Sequence, residues 1–186
     1  MLSKELVSLI FNMPLSDKVD MSTEPKKRDV VVTRVFDAPI EQVWKAWSHP
    51  DDVMQWWGPT GFACILAKMD FREGGTSLVG MRALKEFGGQ DLYNTWTYQK
   101  IVPMQQFEFI QNFADKDGNT ADPALHGLPP DAPQEVHTLV TFKALGSDKT
   151  EMTVTEFDWT VGPIMELSTA GLEQCLDKMA RIFDKA

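Results

Sequence analysis

The chain has 186 residues, a formal net charge of −9 and a pI near 4.8, which excludes the basic face that nucleic-acid binding or adhesion to anionic lipid requires. Hydrophobic residues make up 43% and charged residues 24%, the balance of one globular domain with its own core. Eleven Phe and six Trp suit a wide interior, such as the gap between a curved sheet and a helix.

Residues 1–28 are weakly patterned and read as an N-terminal extension. Two origins fit: an upstream start codon, with Met21 as the alternative start, or a short helix from Ser3 to Asn12 that docks or oligomerises. The basic run Lys26-Lys27-Arg28 reads as a solvated flank. The apolar patch from Leu6 to Phe11 is too short for a secretory core, follows Glu5 and precedes no small-residue cleavage site. No run reaches transmembrane length. Cys64 and Cys175 lie far apart, each in an apolar pattern, so buried reduced thiols are expected. Together these point to a cytoplasmic protein.

From Asp29 the chain becomes regular. Residues 30–36 are β-rich and predict a strand. Asp37-Ala38-Pro39 starts a helix whose Ile40, Val43, Trp44 and Trp47 share one face, and His49-Pro50 ends it. Residues 51–57 predict a second short helix, broken by Gly58-Pro59. Strands follow at 62–71, 76–84, 91–101 and 105–113, with turns at Gly74-Gly75, Gly88-Gly89 and Pro103. Residues 114–133 hold four Pro, two Gly and four Asp without period and predict a long loop. Strands at 134–145 and 149–159 form a hairpin across Gly146-Ser147-Asp148. A helix over 163–183 carries the apolar stripe Leu172, Cys175, Leu176, Met179 and Ile182. Strand, two helices, six strands and a long helix argue for an α+β domain, residues 29–186, with an antiparallel sheet on which the last helix buries its stripe.

Four motifs in order carry a resemblance: Arg34-Val35-Phe36-Asp37-Ala38-Pro39, Val43-Trp44-Lys45-Ala46-Trp47, Trp56-Trp57-Gly58-Pro59 and Asp70-Phe71-Arg72-Glu73-Gly74-Gly75. Over about residues 29–184 the chain resembles the Hsp90-ATPase-activator-homologue (AHSA1-like) group of the START-like, polyketide-cyclase/Bet v 1 superfamily. The resemblance implies a helix-grip fold: a curved antiparallel sheet of six to seven strands wrapped around the long C-terminal helix. It implies a cavity between them that takes lipid-, sterol- or polyketide-like molecules in various relatives. Such domains often carry a Gly-Trp pair early in the last helix. Here it is Gly171-Leu172, and the smaller side chain widens the cavity or is compensated elsewhere.

Strand alternation sorts the candidate residues. Phe107, Phe109, Gln111 and Phe113 share a face that should point inward, which sets Gln111 among apolar neighbours, bonded to a ligand or to nearby backbone. In the last strand Met152, Val154, Glu156 and Asp158 share one face, Thr153, Thr155, Phe157 and Trp159 the other. Parity leaves open which is inward. An inward Glu156 needs a partner, for which Arg72 is the obvious type, or a raised pKa. Arg72 alternatively pairs with Asp70. His137 is a surface strand residue or a general base. Trp56-Trp57-Gly58-Pro59 closes one end of the cavity or plugs the core beneath the short helix.

The candidate ligand-binding set is Trp57, Arg72, Trp96, Phe107, Phe109, Gln111, Phe113, Glu156, Leu172, Leu176 and Met179. Three dispersed histidines offer no metal spacing, and the acidic run at 115–119 lacks the Gly and Glu of a calcium loop. No cofactor motif is present. Expected is a non-enzymatic binder of a small apolar ligand, monomeric or homodimeric. The alternatives are a cyclase- or hydrolase-like enzyme using Arg72, Glu156 or His137, and a protein-interaction module that uses the outer sheet, as an Hsp90 co-chaperone would.

Overall fold

A computed structural model describes residues 26–126, 128 and 132–184. The expectations for residues 1–20 lie outside the described residues. The chain runs β1 (Lys27–Phe36), α1 (Ile40–Ser48), α2 (Pro50–Trp56), β2 (Phe62–Lys68), β3 (Thr76–Ala83), β4 (Asp91–Val102), β5 (Gln106–Ala114), β6 (Glu135–Ala144), β7 (Thr150–Thr160) and α3 (Pro163–Phe183). The seven strands form one antiparallel sheet in the order β1-β7-β6-β5-β4-β3-β2. Strands β2 to β7 are joined as a meander, because each turn returns the chain beside the strand just left. The helices α1 and α2 carry the chain between the two edge strands, and α3 lies against β1 and α2.

The local elements follow their sequence causes, with shifts of a few residues at the ends. Strand β1 takes in Lys27 and Arg28, which the sequence had assigned to the extension. Helix α1 starts one residue after Pro39, which sits at the N-cap, and buries Val43, Trp44, Ala46 and Trp47. Pro50 and Pro163 occupy the first positions of α2 and α3, where a missing N–H leaves no bond unmade. Strand β2 stops at Lys68, short of the expected 71. The Arg72 guanidinium donates to both Asp70 carboxylate oxygens, at 2.8 and 3.0 Å, and the backbone turns there. A side chain at Gly75 would collide with the Asp70 carbonyl, so this motif builds a turn.

One continuous core fills much of the space between sheet and helices. On β5, Phe107 is fully buried among Trp44, Trp47, Phe71 and Phe142, with ring centroids 5.2–5.9 Å apart. That is the range of favourable edge and tilted aromatic packing. Helix α3 adds Met165, Leu172, Cys175, Leu176 and Met179 to the same core. No helix among the described residues is long and apolar enough to cross a membrane.

Candidate ligand-binding cavity

The aromatic fill stops part-way along the sheet. Beyond it lies a partly open cavity of about 220 Å³ between the concave face and the start of α3. Phe109, Gln111 and Phe113 from β5, Val136 and Thr138 from β6, and Val154 and Glu156 from β7 form its sheet wall. Ile164, Ser168, Gly171, Leu172 and Cys175 from α3 face them. Leu128, Ala132 and Pro133 of the long loop, Trp159 at the end of β7 and the segment from Trp57 to Pro59 also line it.

That last segment is held by α3. Lys178 Nζ donates to the Gly58 and Phe62 carbonyls at 2.6 and 3.1 Å, and the Thr60 N–H donates to Gln174 Oε1 at 2.8 Å. Gly58 has a φ of 101°, and a Cβ there would press on Met81 and Phe62. Only glycine turns the chain at that point without strain. The two tryptophans before it divide the two readings between them. Trp56 is a plug, fully buried, with its indole donating to the Ala46 carbonyl at 2.8 Å. Trp57 lines the cavity.

Of the candidate residues, Trp57, Phe109, Gln111, Phe113, Glu156 and Leu172 line the cavity. Trp96 stands behind it, fully buried, and donates its indole N–H to Gln111 Oε1 at 3.0 Å. Gln111 is therefore held by a side chain, where a backbone partner was the expected alternative to a ligand. Phe107, Leu176 and Met179 belong to the solid part of the core and not to the lining, because α1 supplies Trp44 and Trp47 against that half of the sheet. Arg72 is exposed on its turn with Asp70 and does not meet Glu156. His137 is exposed beside Glu108, its Nε2 3.6 Å from that carboxylate, and does not face the cavity. The three groups named for an enzymatic alternative are thus not brought together.

Glu156 points inward and is 8% exposed. Burial raises its carboxyl to about 7, against the lowering effects of Ser168 and Trp159. The Ser168 hydroxyl donates to Glu156 Oε2 over 3.4 Å, and among the described residues no basic side chain pairs with it. Trp159 was missed by parity. Asp158 adopts a φ of 59°, and the register with β1 slips there, so Glu156 and Trp159 both turn inward although alternation puts them on opposite faces. The only sequence signal was an Asp in a β run, a residue that tolerates this conformation and breaks strands. The Trp159 indole N–H faces the Glu156 carboxyl without closing a hydrogen bond. Cys175 is buried in the lining, and burial pushes its thiol up to about 12, so it is an inert neutral group.

Residues 37–184 match the family described as Activator of Hsp90 ATPase homolog 1-like protein. The chain belongs to this family. It is an AHSA1-like member of the START-like superfamily, with the helix-grip architecture described above. The AHSA1-like fold recurs in solved structures. A protein from Arthrobacter aurescens shares 20% identity, with 85% of this chain and 87% of that chain covered and a TM-score of 0.69. A protein from Chromobacterium violaceum shares 24% identity over 84% and 96% of the two chains, with a TM-score of 0.66. The AHSA1 protein from Silicibacter pomeroyi shares 19% identity over 84% and 98%, with a TM-score of 0.65. At these identities the likeness is one of fold. No curated protein matches the chain.

Proposed function

We propose that this AHSA1-like domain binds a small apolar molecule in the cavity between its sheet and the start of α3. The observation that carries this reading is the uneven interior. The same fold packs one half solid with Trp44, Phe71, Phe107 and Phe142 and leaves about 220 Å³ in the other half. Native interiors pack densely, and voids larger than a water molecule are few. An apolar cavity of about 150 Å³ suffices to hold benzene, so this one suits a molecule of one to two rings. Leu172 at the position where relatives often carry Trp keeps that space open. The binding module acts in the cytoplasm, a reading supported by the two free thiols Cys64 and Cys175. Native mass spectrometry of freshly purified protein should show an added mass that denaturation removes. An unliganded mass, together with no binding of the neutral dye N-phenyl-1-naphthylamine, would end this reading.

A second reading is an enzyme in which Glu156 acts as general acid–base. A carboxyl near 7 in an apolar site has the poise such catalysis needs. Incubation of the co-purified ligand with protein and with Glu156→Gln, followed by mass analysis, tests it. A ligand unchanged by both proteins rules out this reading.

A further inference from the structure

The indole nitrogens of five tryptophans divide into two groups. Trp47 donates to Met152 Sδ at 3.1 Å, Trp56 to the Ala46 carbonyl at 2.8 Å and Trp96 to Gln111 Oε1 at 3.0 Å. The indole nitrogens of Trp57 and Trp159 are shielded from solvent and have no hydrogen-bond partner among the described residues, and both residues line the cavity. Buried donors are nearly always satisfied, so an exception that lines a cavity marks a place where something accepts, and of the two Trp159 is the one with the Glu156 carboxyl beside it. Trp159 is 7% exposed and its N–H faces the carboxyl of Glu156, itself 8% exposed. Among the described residues the one hydrogen bond that closes on the carboxyl comes from the Ser168 hydroxyl, at the long distance of 3.4 Å, while the Trp159 N–H stands near it without reaching hydrogen-bond geometry. One end of an apolar cavity therefore presents an unmatched donor beside an under-satisfied acceptor.

Resting on the proposed function, we infer that the ligand is an apolar alcohol or phenol whose single hydroxyl sits between Trp159 Nε1 and the Glu156 carboxyl. A hydroxyl oxygen accepts from the indole and donates to the carboxylate at once. Above pH 7, where Glu156 is ionised, a ketone satisfies the indole but gives the carboxylate nothing. An ammonium satisfies the carboxylate but leaves the indole unmatched. A carboxylic acid brings a second negative charge against Glu156. A pure hydrocarbon leaves both protein groups unpaired, and a site built to bond a hydroxyl rejects the analogue that lacks it.

Two probes of nearly equal shape separate the hydroxyl from the rest of the molecule: 2-naphthol and 2-methylnaphthalene. Isothermal titration calorimetry of the full chain should show 2-naphthol binding at least tenfold more tightly. Trp159→Phe and Glu156→Leu should each reduce that preference to under threefold, chiefly by weakening 2-naphthol, with thermal melting confirming that each variant is folded. Ser168→Ala, which removes no partner from the indole, should keep most of it. Equal affinity of the two probes for the wild-type protein would overturn the hydroxyl assignment while leaving the cavity reading standing. So would a preference undiminished in both Trp159→Phe and Glu156→Leu. Failure of both probes to bind would overturn the cavity reading, and the hydroxyl assignment with it.

Discussion

Replacing Glu156 with Gln should stabilise the protein at pH 8 and leave its stability nearly unchanged at pH 4.5. In the unfolded chain this carboxyl titrates near its ordinary value of 4.5, and in the folded protein burial raises it to about 7. Between those values the folded state holds a proton that the unfolded state has lost. Stability therefore falls as pH rises from about 4.5 to about 7 and stays at the lower level above. The gap between the two values corresponds to about 3 kcal/mol. Gln keeps the shape, still accepts from Ser168 and carries no charge at any pH, so it removes this penalty. For a protein of this size that is roughly 6–12 °C in Tm at pH 8. Cys175, the ionisable group that interacts with Glu156, has its thiol pushed up to about 12 and stays neutral throughout the range. Thermal melts of both proteins at pH 4.5, 6 and 8 give the test, since other titrating groups cancel in the difference. A Tm difference that does not grow with pH refutes the reasoning, as does a wild-type Glu156 carboxyl midpoint below 5.5 by carbon NMR.

Leu172→Trp, at the cavity wall, should leave Tm within a few degrees and abolish binding of N-phenyl-1-naphthylamine; retained dye binding with a large loss of stability would mean that no space is there to fill. Phe107→Ala, in the solid half, should destabilise by about 3–5 kcal/mol in urea unfolding. Phe113→Ala, which enlarges an existing space from a half-buried position, should cost markedly less, and equal losses would show the two halves to be packed alike. Lys178→Met removes the donor from the Gly58 and Phe62 carbonyls and should destabilise by about 1–3 kcal/mol. Hydrogen exchange of the amides at 57–62 should then quicken; unaltered exchange would show that this clamp does not hold the segment.

Much of the scaffold was legible because its determinants are local. The stripe on α3, bounded by Pro163, predicts the helix over the residues that form it, and the Gly-rich turns set a meander of six strands after α2. The inward face of β5 was equally readable, since aromatics at alternate positions leave one solution. Parity is less informative in β7. Its two faces differ little in composition, and the bulge at Asp158 breaks the alternation just where Trp159 joins the cavity. The sequence offers Arg72 as a partner to an inward Glu156 or to Asp70, and which carboxylate meets the guanidinium depends on a two-residue turn.

By itself the sequence determined the class of fold and the aromatic supply for a wide interior. Periodicity and turn chemistry act within a few residues, and they were sufficient for that. Only the tertiary structure decided where the aromatics end and the space begins. That boundary depends on the reach of Trp44 and Trp47 from α1 across to Phe107, which no single element encodes. It also decided that Glu156, Ser168 and Trp159 converge at one end of the space. Their meeting needs a strand bulge and the first turns of α3 to come together at the same point, and such long-range placement leaves no local trace.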